Sequence, residues 1–206
     1  MPINKKVNLS DKALTAPDLA ATRDGFGKGL LEAGEKNERV VGLCADLTES
    51  VRMHWFAEKF PKRFFQVGVA EQNLAGVAAG LALEGKIPFA SSFGVFSPGR
   101  NWDQIRVSIC YSNANVKIAS SHTGLTVGQD GATHQALEDI AIMRVLPNMT
   151  VLVPCDVIET KKATLAAAEL NGPVYLRFGR EKTPVVTTDA TAFEVGKAQV
   201  FYEGAD

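Results

Sequence analysis

The sequence has 206 residues, of which 46% are apolar and 22% charged, and its formal net charge is −1. This length allows one sizeable domain with a buried core, or one domain and part of a second. The near-zero charge gives no sign of a nucleic-acid or anionic-membrane partner. No apolar run approaches the roughly 18 residues of a membrane span, and residues 1–12 lack the apolar core of a signal peptide. We therefore expect a cytoplasmic protein without a membrane partner.

The apolar pattern predicts helices and strands in alternation. Residues 1–16 show no periodicity and predict an N-terminal arm. Residues 17–34 predict an amphipathic helix with Pro17 in its first turn. The expected inner face of this helix consists of Leu19, Phe26, Leu30 and Leu31.

Further elements follow in the same alternation. They are a strand at 40–44, a helix that ends near Lys59 and is capped by Thr48 or Ser50, a buried strand at 64–67, a helix from Glu71, a strand at 87–91, a helix at 102–111 opened by Pro98, a strand at 116–120, a helix at 135–143, a strand at 150–153, a helix at 157–170 and a strand at 174–177. This order is typical of a parallel sheet with helices on both faces. We therefore expect an α/β domain with a doubly wound, mostly parallel sheet at 17–182, and a linker at 183–206 with one strand at 197–201.

The segment 68–76, Gly-Val-Ala-Glu-Gln-Asn-Leu-Ala-Gly, joins an apolar strand to a helix rich in small residues, and Glu71 lies at the junction. The carboxyl ends of strands are where open α/β sheets place their ligands. A carboxylate in the first turn of a helix also complements the helix dipole, which is a purely structural role. The residues alone leave both interpretations open. Gly76 and Gly80 predict that a neighbouring element approaches this helix closely.

Other polar and aromatic side chains follow predicted strands. With Glu71, the candidates for a site are Arg23, Asp46, Ser50, Phe93, Phe96, His122, Asp130, His134 and Arg177. Arg23 alone is expected well inside a helix. The ends of parallel strands gather along one edge of the sheet, where two arginines, a serine and a histidine suit a phosphate. Each residue taken singly also has a structural explanation, such as core packing for the two phenylalanines.

The loop at 122–134 is long for a connection within a compact domain, and such loops are usually functional. No stretch has the G-x-S-x-G pattern of a hydrolase nucleophile. Cys44, Cys110 and Cys155 are widely spaced among apolar neighbours, as is typical of reduced core thiols. Because the loop histidines are far apart and have no paired ligand nearby, we expect no metal site formed by this chain alone.

Four motifs occur in the order found in one enzyme family. They are Ala-Asp-Leu-Thr at 45–48, Gly-x-x-Glu-Gln at 68–72, Ser-Phe at 92–93 and His-x7-Asp-Gly-x-Thr-His-Gln at 122–135. The last motif is long and specific. From about Arg23 to Arg177, the sequence resembles the pyrimidine-binding domain of transketolase, an enzyme that depends on thiamine diphosphate. The resemblance implies the thiamine-diphosphate-binding fold.

The resemblance also implies roles for the matched residues. The carboxyl group of Glu71 would share a proton with the aminopyrimidine ring of the cofactor, and that ring removes the thiazolium C2 proton. Phe93 and Phe96 would pack beside the aminopyrimidine ring and keep its surroundings apolar. Asp46 and Leu47 would lie close to the cofactor.

The implied reaction moves a two-carbon ketol unit from a ketose phosphate to an aldose phosphate, as in the pentose phosphate pathway. In the family, four matched positions hold the substrate phosphate: Arg23, Ser50, His122 and Arg177. Asp130 would form a hydrogen bond with a hydroxyl of the donor sugar, and His134 would lie near the reacting carbons. Both histidines would assist proton movement near neutral pH.

In this superfamily, a Gly-Asp-Gly motif binds the diphosphate and its Mg²⁺, and the sequence contains none. Transketolase usually carries that motif in an N-terminal domain and has a further domain after the matched region. The resemblance therefore implies one subunit of a split transketolase, an α2β2 heterotetramer in which the partner subunit binds the diphosphate and Mg²⁺ and two copies of this chain touch. Residues 183–206 would lead toward a C-terminal domain that this sequence lacks.

Three alternatives remain open. Deoxyxylulose-phosphate synthase and the β subunits of 2-oxoacid dehydrogenases share the Glu-Gln pair. However, the synthase's Asp-Arg-Ala-Gly is absent, with Leu-Thr-Val at 125–127 instead, and the dehydrogenases lack the His-Gln ending. The third alternative is a non-catalytic relative that binds and regulates a partner. Gly99 stands where better-known transketolases have a third aromatic residue, so we expect different ring contacts on that side.

Overall fold

A computed structural model of the chain describes residues 4–202 and residue 204. Its strands are β1 (Leu19–Ala21), β2 (Val40–Cys44), β3 (Phe64–Gln66), β4 (Ile87–Phe93), β5 (Lys117–Ser121), β6 (Thr150–Leu152), β7 (Val174–Arg177) and β8 (Lys182–Pro184). Strands β2 to β7 form one parallel sheet in the order β3-β2-β4-β5-β7-β6. Strands β1 and β8 pair in a separate antiparallel ribbon. The predicted parallel sheet is therefore confirmed.

Helices connect the strands of the sheet. They are α1 (Thr22–Lys36), α2 (His54–Lys59), α3 (Glu71–Leu83), α4 (Trp102–Gln104), α5 (Asp139–Arg144) and α6 (Val157–Glu169). Helix α4 continues without a break as a π-helix over Ile105–Tyr111. Short 3₁₀ turns lie at Lys5–Val7, Pro61–Arg63 and Gly131–His134. Within the described ranges, no helix is long and apolar enough to cross a bilayer.

Two apolar clusters cover the two faces of the sheet. One contains residues of α1, α2 and α6, such as Phe26 and Phe56. The other contains residues of α3, the π-helix and α5, such as Leu74 and Ile109. Helices α1 and α6 approach closely at Gly25, where a Cβ atom would collide with a backbone oxygen of α6. Helices on both faces confirm the doubly wound α/β class.

The direction in which the sheet grows reverses at β2, because β3 and β4 pair with opposite sides of that strand. Open α/β sheets bind ligands in the crevice outside the carboxyl ends of the strands at such a reversal. Cys44, the last residue of β2, lies opposite Gln66 at the end of β3 and Ser91 near the end of β4. The segments that follow these three strands therefore surround the crevice.

The N-terminal helix is shorter than its predicted range of 17–34. Residues Leu19–Ala21 form β1, which pairs with β8, and the helix begins at Thr22. Leu19 is 57% exposed instead of facing the core, whereas Phe26 and Leu30 are buried as predicted. The pairing of β1 with β8 joins residues more than 160 positions apart, so local periodicity does not reveal it.

Several predicted helix starts are also wrong. Helix α2 begins at His54, and neither Thr48 nor Ser50 caps it. Pro98 lies in the turn before α4 and does not open that helix. The helix predicted at 135–143 begins only at Asp139, because the preceding Ala136 pairs with Thr123 in an isolated bridge.

The helix after Glu71 and the strand before it also differ from the predictions. Strand β3 lies at the edge of the sheet, and its residue Phe65 is exposed. Gly76 and Gly80 are exposed on α3, and apart from the adjoining backbone of α3 no described atom lies within 4 Å of where their Cβ atoms would be. The close approach expected at these glycines is therefore not made by the described part of the chain.

The C-terminal segment is packed against the domain. The predicted strand at 197–201 is not present, and β8 at Lys182–Pro184 is the strand found there among the described residues. Lys162 Nζ on α6 donates to the backbone oxygen of Thr188 (2.7 Å). The backbone N–H of Asn4 in the predicted arm donates to the backbone oxygen of Phe201 (2.9 Å). The described arm and the described C-terminal segment therefore support each other, while residues 203, 205 and 206 lie outside the described residues.

Asp156 fixes this segment to α6. Its buried carboxylate accepts hydrogen bonds from the backbone N–H groups of Ile158 and Glu159 at the start of α6. It also accepts hydrogen bonds from the backbone N–H groups of Val186 and Thr187, which follow β8. One carboxylate thus caps a helix and holds the chain beyond β8.

We expect Asp156→Ala to lower the free energy of unfolding by about 3 kcal/mol, because it removes the helix cap and leaves buried N–H groups without acceptors. Urea denaturation measures this change. Asp189→Ala removes an exposed carboxylate from the same segment and serves as the control, with an expected change below about 0.5 kcal/mol. Equally small effects of both substitutions would show that Asp156 does not hold the segment.

Candidate active site

Glu71 is the first residue of α3, and its side chain is only 1% exposed. Ser92 Oγ, near the end of β4, donates to Oε1 of Glu71 (3.1 Å). Asn101 Nδ2 donates to the backbone oxygen of Glu71 (2.9 Å). A buried carboxylate requires such partners, because an unpaired charge is costly to remove from water. Glu71 therefore lies at the crevice, as predicted, and is held by groups from the β4 side of it.

Arg100 provides the charged partner of Glu71. Its Nη1 atom lies 2.7 Å from Oε2 of Glu71, and its guanidinium carbon lies 4.7 Å from the centre of the Phe96 ring. The guanidinium group thus pairs with a carboxylate and lies over an aromatic face at the same time. Arg100 is absent from the candidates drawn from the sequence. Its position 4 residues after Phe96 is only a weak indication of a site residue, because its contact with Glu71 depends on the conformation of the turn before α4.

Four rings form a connected cluster, which Arg100 links to Glu71. Phe93 stacks on His122, with ring centres 3.7 Å apart. The Phe96 ring lies 6.1 Å from the Phe93 ring, and the His134 ring meets Phe96 edge-on at 5.5 Å. Phe93 is buried, whereas Phe96 is only partly buried and carries the Arg100 guanidinium. The two rings predicted to wall a site therefore lie together with both loop histidines.

His122 follows β5 in a left-handed backbone conformation, with φ of 57°. Burial, and then the positive charges of Arg23 and Arg180, lower the pKa of His122 to about 3. The imidazole is therefore neutral at neutral pH, with one donor nitrogen and one acceptor nitrogen. These dry and positively charged surroundings oppose the expectation that His122 gains and loses a proton near neutral pH.

Arg23 lies at the same edge of the sheet as the other candidates. Because α1 begins at Thr22, Arg23 lies in the first turn of the helix. The prediction that Arg23 lies well inside a helix is therefore wrong. Its Nη1 atom donates to the backbone oxygen of Ser50 (2.9 Å), and its Nε atom is buried with no partner in the described part of the chain. Burial, followed by the neighbouring Arg52, lowers the pKa of Arg23.

Arg180 is a second cation on this side of the crevice. It lies close enough to His122 and to Arg23 to lower the pKa of each. Its Nη1 atom donates to the backbone oxygen of Val127 (2.6 Å) and lies 3.6 Å from the carboxylate of Asp130. Arg180 was also missing from the sequence candidates, although it follows Arg177 by only 3 positions. Positive charge gathered beside a neutral histidine suits an anion such as phosphate.

Arg177 faces a different group. Its Nε atom lies 2.7 Å from Oδ2 of Asp139, a carboxylate that is 1% exposed. The hydroxyl of Tyr175 donates to the same oxygen (2.7 Å). Burial, and then the charge of Asp139, raise the pKa of Tyr175. The role of substrate arginine predicted for Arg177 therefore competes with a buried ion pair, because removing Arg177 would leave Asp139 without a cation.

Asp46 and Leu47 follow β2 at the crevice. Asp46 has a left-handed backbone (φ 60°), its backbone N–H donates to Oε1 of Gln66 (2.7 Å), and its side chain is exposed. Leu47 packs against the apolar cluster that includes Phe93 and Phe96. Within the described residues there is no group of three or more histidine, cysteine or carboxylate side chains that could hold a metal ion.

The fold and the site define a doubly wound α/β domain whose ligand crevice contains a buried glutamate and an aromatic wall. A family model described as the pyrimidine binding domain of transketolase matches residues 18–186. The chain belongs to this family, so its resemblance to transketolase is confirmed. The family implies a dependence on thiamine diphosphate.

Two curated relatives are similar over most of this chain. A Methanocaldococcus jannaschii protein that bears the provisional name of a transketolase C-terminal section is 50% identical over 186 residues, which is 89% of this chain and 59% of the relative. The 6-deoxy-6-sulfo-D-fructose transketolase subunit SqwH of a Clostridium species is 41% identical over 184 residues, which is 89% of this chain and 57% of the relative. This chain therefore spans less than two thirds of the length of either relative.

Solved structures agree with this assignment. A split-gene transketolase solved as an inactive β4 tetramer is 52% identical, with a TM-score of 0.81 over 90% of this chain and 59% of that one. The transketolase of Campylobacter jejuni is 26% identical, with a TM-score of 0.75 over 88% of this chain and 28% of that one. The fold of this chain is thus shared by a split-gene transketolase and by the Campylobacter jejuni transketolase.

We expect His122 to stay neutral as the pH falls from about 8 to about 5, because its pKa lies far below the usual value of about 6.5. The unfolded chain takes up this proton near the usual value and the folded chain does not, so acidification through this window favours unfolding. The Cε1 proton shift of His122 in an NMR titration measures the pKa. Arg23→Ala should raise this pKa by removing a nearby positive charge. A wild-type midpoint between about 6 and 7 would contradict the geometry.

Proposed function

We propose that this chain supplies the aminopyrimidine-binding half of a thiamine-diphosphate-dependent transketolase site. The assembled enzyme transfers a two-carbon ketol unit from a ketose phosphate to an aldose phosphate. The observation that carries the proposal is the burial of the Glu71 carboxylate at the crevice, where Arg100 links it to Phe96 and the Phe96 ring meets His134. Membership of the pyrimidine-binding family supports the same role.

The residues beside Glu71 fit an aminopyrimidine ring. The guanidinium of Arg100 is itself a flat group that carries hydrogen-bond donors, and it lies over Phe96 while it bonds to Glu71. The same two residues therefore accept a flat, nitrogen-containing group on an aromatic face and at a carboxylate. When bound, thiamine diphosphate supplies the nucleophilic carbon of the reaction, and the protein supplies position and electrostatics.

Glu71 would hold a proton shared with the pyrimidine ring. Ser92 donates to Oε1, so Oε2 is the oxygen that faces the ring. Phe93 and Phe96 would limit the access of water, which keeps this hydrogen bond strong. Asp46 and Leu47 would border the cofactor from the β2 side.

Arg23, Arg180 and His122 would bind the substrate phosphate. Two guanidinium groups supply positive charge, and the neutral ring of His122 supplies a hydrogen bond without adding charge. Ser50 would lie at the rim of this subsite, since its backbone oxygen positions Arg23. Arg177 would support the subsite from behind by its pairing with Asp139.

Asp130 and His134 would act on the sugar between the phosphate and the cofactor. The side chain of Asp130 is paired loosely with Arg180, which leaves it free to accept a sugar hydroxyl. The His134 ring lies edge-on to Phe96 and so borders the proposed cofactor position. His134 is therefore the better placed of the two histidines to exchange a proton with substrate.

The proposal requires a second subunit. The sequence contains no Gly-Asp-Gly to bind the diphosphate and Mg²⁺. The split-gene transketolase relative was solved as an inactive tetramer of β chains, which indicates that such chains assemble with each other but do not form a working site alone. We infer that two copies of this chain touch in an α2β2 enzyme. An exposed hollow on the π-helix side, lined by Arg106, Val107, Tyr111 and Pro147, is available for such contacts.

The direct test mixes this chain with the diphosphate-binding subunit and measures ketol transfer from a ketose phosphate. We expect no turnover from the single chain and turnover from the mixture.

Glu71→Gln should lower kcat by about a hundredfold or more while leaving the fold intact, because the amide cannot share the proton. Glu58→Gln, the same change at an exposed carboxylate, is the control. Full activity from the single chain would refute the split site, and unchanged kcat in Glu71→Gln would remove Glu71 from the mechanism. Partner capture without turnover would instead favour a regulatory relative.

Substitutions of Arg180 and Arg177 should have different effects, the first on substrate binding and the second on stability. Arg180→Ala should raise the KM for the ketose phosphate about tenfold, because a charged hydrogen bond to the phosphate is lost. Arg177→Ala should lower the free energy of unfolding by about 3 kcal/mol or more, because Asp139 is left buried and unpaired. Steady-state kinetics and urea denaturation of both variants separate the effects. A raised KM in Arg177→Ala with unchanged stability would show that Arg177 binds the substrate phosphate.

A further inference from the structure

The side chain of Arg100 makes the two contacts that the proposed aminopyrimidine ring requires. Its Nη1 atom donates to Oε2 of Glu71 (2.7 Å), and its guanidinium carbon lies over the partly buried Phe96 ring, 4.7 Å from the ring centre. An aminopyrimidine ring and a guanidinium group are both flat, and one ring face has room for one of them. The two groups therefore compete for the same position.

The Arg100 side chain is placed to move. It is 46% exposed, whereas its partner Glu71 is 1% exposed. Its backbone is held separately, because its N–H donates to the backbone oxygen of Phe96 (2.9 Å) in the turn before α4. In the described part of the chain, Glu71 is the carboxylate that Arg100 pairs with. The side chain can therefore swing toward solvent without disturbing the turn.

We propose that Arg100 is a placeholder for the cofactor ring in the pyrimidine subsite of this chain. This inference rests on the proposed function and adds a conformational step to it. Arg100 pairs with the buried Glu71 carboxylate and covers Phe96 until the aminopyrimidine displaces it toward solvent. Because a buried carboxylate without a partner is costly, the placeholder stabilises the chain before cofactor binds.

The placeholder has a measurable cost in affinity. The apparent dissociation constant of a ligand rises as the fraction of protein in the binding-competent state falls. If the guanidinium occupies the subsite for about nine tenths of the time, its removal strengthens binding about tenfold. A residue that instead holds the ring in place would have the opposite effect, since its removal would weaken binding.

Isothermal titration of thiamine diphosphate at fixed Mg²⁺ into the complex with the diphosphate-binding subunit tests the proposal. The complex with Arg100→Ala should bind about three- to tenfold more tightly than wild type. Arg100→Gln retains a flat donor and should lie between the two. It also provides a folded variant if the alanine form is unstable. Arg39→Ala, which removes an exposed arginine just before β2, should bind like wild type.

An NMR measurement adds a readout that does not depend on affinity. The side-chain Nε–H signal of Arg100 should shift toward that of a solvent-exposed arginine when thiamine diphosphate is added. Equal or weaker binding by both Arg100 variants, with normal binding by wild type, would overturn the placeholder and leave the proposed function standing. No binding by the wild-type complex would overturn the proposed function, and the placeholder with it.

Discussion

A carboxylate buried where β3 leads into α3 constrains the whole site. Glu71 is removed from water, so each of its oxygens requires a donor, and those donors come from the strand and turn on the far side of β2. Ser92 at the end of β4, Arg100 before α4 and Asn101 beside it must therefore all reach Glu71. The parallel order of β3, β2 and β4 allows this, because it brings the carboxyl ends of these strands to one crevice.

The opposite end of the site is organised by positive charge. The positive charges of Arg23 and Arg180 lower the pKa of the buried His122, and Arg180 also lowers the pKa of Arg23. Keeping His122 neutral limits the repulsion among these groups and still leaves a hydrogen-bonding ring against Phe93. Arg177 is drawn away from the cluster by the buried carboxylate of Asp139. The site thus joins a dry, aromatic half at Glu71 to a cationic half at His122.

Local sequence patterns were sufficient for the central strands, since the apolar runs of β2 and β7 have the predicted ends. They failed for residues 17–21 and for the chain after residue 182, because pairing between distant segments decides those structures. Motifs were sufficient to bring Glu71, Phe93, Phe96, His122 and His134 together. They did not indicate Arg100 or Arg180, whose roles follow from a turn and from the direction of a strand end. The spacing of residues in the sequence also could not show that Arg177 forms an ion pair with Asp139.

The account depends on Glu71 being the residue that meets the pyrimidine ring of the cofactor. The most direct measurement is a crystal structure of this chain with the diphosphate-binding subunit, thiamine diphosphate and Mg²⁺. The account predicts that the Glu71 carboxyl group lies within hydrogen-bond distance of the pyrimidine N1′ atom, with the ring over Phe96. A cofactor whose pyrimidine ring is bound elsewhere, with the Glu71 carboxyl group out of hydrogen-bond reach, would contradict it.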